Sequence, residues 1–129
     1  LVKKLDGSRP VDAASGWFDF GGGDYRSEHN YFFKLQVPRN WKKAPKGRAF
    51  VISEYGGLTL KIPGHIWKEQ SYGYGKLSSQ AEFQEQFRKL QEEIRALEKE
   101  GLSGAIYTQV SDIEEEINGI YTYDRRVRK

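Results

Sequence analysis

One carboxylate stands out by its place in the sequence. Glu54 follows the apolar run Ala49-Phe50-Val51-Ile52 and Ser53 and precedes Tyr55-Gly56-Gly57, at the C-terminal end of the most apolar strand candidate. In α/β barrels that strand end faces the active site, where a carboxylate acts as nucleophile, general base or general acid. On position alone a plainer reading stands beside it: Glu54 is the first residue out of the core, solvated or paired with an arginine. Other chemistries find less support. Ser53 lacks the Gly-x-Ser-x-Gly elbow, and Gly21-Gly22-Gly23 is neither a Walker loop nor a dinucleotide fingerprint. His29 and His65 are the only imidazoles, and neither has a partner at metal-ligand spacing, so no metal and no cofactor is expected. Asp112, Glu114, Glu115 and Glu116 lack the spacing of a calcium loop and read as a solvated acidic turn.

The elements that would position these residues alternate between strand and helix. Leu1 to Leu5 reads as a helix end, and Arg9 to Ala14 as a short strand with Pro10 near its start. Gly16 to Asp24 is a glycine-rich loop, and Glu28 to Leu35 a short strand. Arg39 to Arg48 is an exposed connection leading into the strand Ala49 to Glu54. The four consecutive apolar residues of that strand imply cover on both faces. Leu58 to Lys76 reads as one long loop rich in glycine and aromatics, which is the kind of loop that carries function. Ser79 to Glu100 is the clearest helix. Ser79 and Glu82 make a capping box, Phe83, Phe87, Leu90, Ile94 and Leu97 form one apolar stripe, and Gly101 stops it. Ser103 to Gln109 follows as another strand and Asn118-Gly119 as a turn. A helix between two apolar strands is α/β architecture.

Composition sets outer bounds. The 129 residues suit one domain, and a 14% share of Phe, Tyr and Trp is enough to build a core and stack ligands. Apolar runs are too short for a membrane span, and no signal segment opens the chain, so no membrane partner is expected and the cellular location is unassigned. The net charge of +3 raises a nucleic-acid reading, yet only Arg39 to Arg48 and Arg125 to Lys129 are locally basic. A solvated loop and a cut terminus account for both stretches, so no nucleic-acid partner is expected. With no Met and an opening that reads as the end of a helix, the chain is expected to be part of a longer protein.

Three segments resemble the later barrel strands of family 2 glycoside hydrolases, the β-galactosidase-like enzymes. They are Arg9-Pro10-Val11, Ile52-Ser53-Glu54-Tyr55-Gly56-Gly57, and Tyr107-Thr108-Gln109 through Tyr123-Asp124-Arg125. The resemblance implies the C-terminal half, strands five to eight, of a (β/α)8 TIM barrel, with parallel strands and covering helices. It places strand six at His29-Asn30-Tyr31-Phe32 and strand seven at Phe50 to Glu54. It further implies that Glu54 is the nucleophile of a retaining β-glycosidase and that Tyr31 lies beside it. His29, Asn30, Trp17, Trp67 and Tyr107 become candidates to bind a carbohydrate substrate, with Tyr72 and Tyr74 as further aromatics. The family's acid/base glutamate follows an asparagine on strand four, and no Asn-Glu dipeptide occurs here. That residue is expected on an upstream half of the same barrel, which makes the upstream half a required partner. An open half-barrel is expected to self-associate and to be inactive alone. Two other readings compete: a non-catalytic carbohydrate-binding fragment, and a basic nucleic-acid module.

Overall fold

The structure, a computed structural model, describes residues 1–13, 15–32, 34–39 and 47–129. Its elements in chain order are α1 (Val2–Leu5), β1 (Tyr25–Asn30), β2 (Ala49–Gly56), β3 (Leu58–Leu60), β4 (Tyr74–Leu77), α2 (Gln80–Glu98) and β5 (Leu102–Thr108). One sheet has three strands in the order β1-β2-β5 and a second pairs β3 with β4. The architecture is α/β with parallel strands in small sheets. Helix α2 lies in the connection between β2 and β5, which are sheet neighbours, as a crossover between parallel strands requires. The chain divides into two compact units, Leu1–Glu54 with Ile94–Ile106 and Tyr55–Glu93 with Tyr107–Lys129.

In the first unit Phe50 and Ile52 are buried, while Ala49 and Val51 on the opposite face are half-buried. The expected cover on both faces of β2 is therefore incomplete. The reason is local: the backbone beside Val51 is Gly104 of β5, where an added Cβ would stand 3.5 Å from Val51 Cγ1, and glycine offers no side chain to cover it.

Two strand expectations are corrected here. Residues 9–13 form no strand, and Ala14 lies outside the described residues. Val11 instead spends both backbone groups on one residue: its N–H donates to Asp24 Oδ2 at 2.6 Å and its carbonyl accepts from the Asp24 N–H at 2.7 Å. The strand expected over residues 28–35 begins at Tyr25 and ends at Asn30, because pairing to β2 already starts where the Ala49 N–H meets the Asp24 carbonyl at 2.9 Å. Phe33 and residues 40–46 of the expected connection lie outside the described residues.

In the second unit, the expected long loop from Leu58 to Lys76 has strands at both ends. They pair in parallel as Leu58↔Tyr74, Thr59↔Lys76 and Leu60↔Leu77. Gly73 permits this approach, since a Cβ there would meet Thr59 Oγ1 at 1.9 Å. The N-terminal turn of α2 is capped as expected by Ser79 Oγ, which accepts the Glu82 N–H at 3.2 Å. The Glu82 carboxylate, however, reaches back to the N–H and hydroxyl of Ser78, both at 2.8 Å, one residue before the expected box.

The acidic turn differs more. Asp112 is not solvated: its side chain and that of Lys129 are both fully buried, with Nζ donating to Asp112 Oδ1 at 2.7 Å and to the Ile117 carbonyl at 2.9 Å. Asp112 Oδ1 also accepts the Gly119 N–H at 2.8 Å. A Cβ on Gly119 would lie 2.2 Å from the Asp112 nitrogen, so that backbone approach admits only glycine. Burial pushes the Asp112 carboxyl up and the Lys129 ammonium down, and each partner opposes the other's shift. The expectation of a solvated, locally basic terminus fails at Lys129 for the same reason.

Candidate active site

Strand periodicity assembles the site. His29 is the last residue but one of β1 and Tyr31 follows directly after the strand, two residues on, so the alternation of an extended chain carries both toward one face, and β2 lies alongside. Glu54, two residues before the end of β2, meets them. The Tyr31 hydroxyl donates to Glu54 Oε2 at 2.7 Å, and His29 Nδ1 lies 3.2 Å from the same oxygen. Glu54 Oε1 accepts no hydrogen bond among the described residues, and the Glu54 side chain is 40% exposed. One carboxylate oxygen is thus fixed and the other is open to solvent or substrate.

A fourth residue completes the chain of contacts. His29 Nε2 lies 3.1 Å from Ser15 Oγ. An ionised carboxylate only accepts, so it pairs with a proton on Nδ1; with that tautomer of a neutral ring, Nε2 presents its lone pair and accepts from the Ser15 hydroxyl. Ser15 therefore favours the tautomer that holds Glu54. No sequence pattern singles out Ser15, because the contact joins residues 14 apart across a glycine-rich loop.

That loop is anchored on both sides. The His29 N–H donates to the Gly16 carbonyl at 2.9 Å. Further along, Arg48 grips Asp19 with two bonds, at 2.6 and 2.9 Å, and also donates to the Tyr25 carbonyl. The Arg48 guanidinium holds the Asp19 carboxyl below its ordinary range, and Asp19 raises Arg48 in turn. The buried Ser27 hydroxyl donates to Asp12 Oδ1 at 2.7 Å and ties the preceding segment to β1. Trp17 is thereby held edge-on to His29, with centroids 5.8 Å apart, and 6.5 Å from Tyr31.

The structure thus brings together Glu54, Tyr31, His29 and Trp17 of the expected set. Asn30 lies at the end of the same strand, its Nδ2 donating to the Lys34 carbonyl at 3.4 Å. Trp67 and Tyr107 belong to the second unit. Trp67 is exposed and tilted over Tyr123 at 5.1 Å, while Tyr107 packs edge-on against Tyr55 at 5.5 Å and Phe87 at 4.9 Å. Burial, then the neighbouring Tyr55, pushes the Tyr107 phenol up, which marks it as a packed ring of that unit. Tyr72 and Tyr74 meet edge-on at 5.7 Å, also in the second unit. Among the described residues no group of three or more His, Asp or Glu side chains could hold a metal ion.

Comparison of the sequence with family models and with curated proteins yields no match. The functional reading therefore rests on the motifs and on this geometry.

Proposed function

We propose that this chain supplies the nucleophile-bearing part of a retaining β-glycosidase, β-galactosidase-like in kind, with Glu54 forming the covalent intermediate. The carrying observation is the convergence of Tyr31 and His29 on one oxygen of Glu54, which leaves Oε1 open. In this reading Oε1 attacks the anomeric carbon as the glycosidic C–O bond breaks. The leaving oxygen takes a proton from a second carboxylic acid, and water then hydrolyses the glycosyl ester. The second carboxyl group must stand about 5–5.5 Å from Glu54. An upstream half of the same barrel would carry it. The parallel order β1-β2-β5, with α2 in the crossover, fits strands six, seven and eight of such a (β/α)8 barrel.

The test is mechanism-based labelling of the full-length gene product with 2-deoxy-2-fluoroglycosyl fluorides of the gluco, galacto, manno and xylo series. A glycosyl adduct mapped to Glu54 by peptide mass spectrometry is expected. Turnover of β-glycosides with the adduct on another carboxylate would refute the assignment. Sugar binding with neither turnover nor adduct would favour a carbohydrate-binding module in which Glu54 only accepts a hydroxyl.

A further inference from the structure

A cavity of about 230 Å³ in the second unit is lined by Thr59, Lys61, Ser71, Lys76, Leu77 and Ile117. It shares no residue with the Glu54 cluster, which belongs to the first unit. Strand pairing brings the lining together. Thr59 and Lys76 are partners across parallel β3 and β4, so both side chains leave the same face of that sheet. Lys61 stands two residues after Thr59, directly beyond the end of β3. The polar lining is two ammonium groups and two hydroxyls, with no carboxylate among the lining residues. Several of these groups are unspent. Among the described residues Lys76 has no ion pair and the hydroxyl of half-buried Ser71 no hydrogen bond. Thr59 is only 6% exposed, and its hydroxyl makes one long bond, 3.3 Å to the Gly57 carbonyl. Lys61 holds Glu69 at 2.5 Å, but the Glu69 side chain is 87% exposed, and ion pairs of that kind contribute little in water. The acids next to Ile117 in sequence are committed elsewhere, Glu115 to Lys68 and Glu116 to the Asn118 amide.

Donors without an acid make a site for an anion, because a concave wall of one sign raises the local potential. The donor types narrow the choice. A planar carboxylate is matched by the two-point fork of arginine, and no arginine lines this cavity. Lysine ammonium groups are point charges and hydroxyls rotate, which suits the tetrahedral oxygens of a phosphate, with a charge of about −1.5 to −2 at neutral pH. Two lysines balance that charge. Leu77 and Ile117 add an apolar wall for a short carbon stem, and the volume lies below the roughly 300–1,000 Å³ of pockets for drug-sized ligands, so the stem is small. We infer that this cavity binds a small phosphate monoester. An occupant would also join β3, β4 and the Ile117 segment, where the printed link from the Leu60 N–H to the Ile117 carbonyl is a long 3.4 Å. The site stands or falls without the glycosidase reading.

The test is titration calorimetry on the full-length gene product at low ionic strength, with glycerol 3-phosphate, phenyl phosphate, inorganic phosphate and succinate as probes. At least one ester is expected to bind saturably, and more tightly than inorganic phosphate or succinate. Lys76→Gln should weaken that binding about tenfold, the low end for a charge-assisted hydrogen bond at an exposed group. Lys61→Gln should weaken it as well, whereas Glu69→Gln should tighten it by releasing Lys61. Lys76 is exposed, so its variant should keep the wild-type melting temperature; Ser71→Ala, expected to lose a few-fold, repeats the test at a neutral group. Glu54→Gln should bind the esters as wild type does. Absence of saturable binding by both esters overturns the inference, as does an affinity untouched by both lysine variants. Inorganic phosphate or succinate bound as tightly as the esters would refute the monoester assignment. Ester binding lost in Glu54→Gln would put the ligand at Glu54 and remove this site.

Discussion

Replacing Tyr31 by Phe removes one hydroxyl and leaves the ring. The aromatic contacts to Trp17 and His29, at 6.5 and 6.4 Å between centroids, are kept, so the fold around Glu54 is expected to survive. What is lost is the 2.7 Å bond to Glu54 Oε2, the shorter of the two holding that oxygen. A hydrogen bond to a charged group contributes about 1.5–3 kcal/mol. If orientation of the carboxylate is needed in the transition state, the rate falls by roughly ten- to 150-fold. The loss should lie in kcat, since the hydroxyl acts on the nucleophile and not on the resting substrate. Because Tyr31 and His29 share one oxygen, removing both frees the carboxylate to rotate, and the combined loss should exceed the product of the single losses. The assay is steady-state hydrolysis of dinitrophenyl β-glycosides by the full-length gene product, with Tyr31→Phe, His29→Ala and the double variant compared. An unchanged kcat for Tyr31→Phe, or a loss confined to KM, refutes the orientation argument.

Four further outcomes follow from the same contacts. Glu54→Gln should lose several powers of ten in turnover with little change in melting temperature, since the amide keeps the shape but forms no stable glycosyl ester; activity within a few-fold of wild type sinks the assignment. Asp19→Asn should cost on the order of 2 kcal/mol in urea unfolding, because it breaks the bidentate grip of a largely buried Arg48. Since the folded pKa of Asp19 is lowered, that contribution is present above the ordinary carboxylate value near 4 and fades as pH falls below it toward the folded value; an Asp19→Asn difference that persists undiminished at pH 2 would contradict this. Lys129→Met should cost about 3–5 kcal/mol by stranding the buried Asp112, and adding Asp112→Leu should restore much of it; a near-neutral single variant would show the pair to be hydrated in solution. Residues 1–129 alone should associate in light scattering and hydrolyse no aryl glycoside, because β5 presents Ile106 at 63% exposure; a clean monomer would show that edge to be covered.

Local periodicity made the long helix and the strand before Glu54 legible, because each is dictated by its own apolar spacing. The capping serine at Ser79 and the stop at Gly101 were legible for the same reason. Elements that depend on distant partners were not. Arg9 to Ala13 has the composition of a strand, yet Asp24 takes both polar groups of Val11 and no ladder forms. Strands β3 and β4 are short and embedded in turn-forming residues, and only their mutual pairing makes them strands. The Asp112 to Lys129 pair joins residues 17 apart, and a charged run reads as solvated until its partner is seen. In the site, Glu54 stood out by its place at the strand end and gained its role, with Tyr31, from motif resemblance; the structure adds their contact. Ser15 and the Arg48 clamp carried no sequence signal.

What holds the site together is register. In a sheet, a slip of one residue turns every side chain to the other face, so His29 and Tyr31 would leave Glu54 together. Three contacts fix the pairing of β1 with β2 against that slip: the Ala49 N–H to the Asp24 carbonyl at 2.9 Å, Ser53 Oγ to the Glu28 carbonyl at 3.4 Å, and Arg48 to the Tyr25 carbonyl. Each lies on the stretch that also carries a site residue or its anchor. Arg48 belongs to two sets at once, since it grips Asp19 in the loop of Trp17 while touching β1. The same guanidinium thus sets strand pairing and the position of the loop that carries Trp17. Lysine cannot reproduce that, because it lacks the planar fork needed to hold a carboxylate at two points and a carbonyl at a third. The open oxygen of Glu54 is therefore a property of the whole β1 to β2 pairing, not of one side chain.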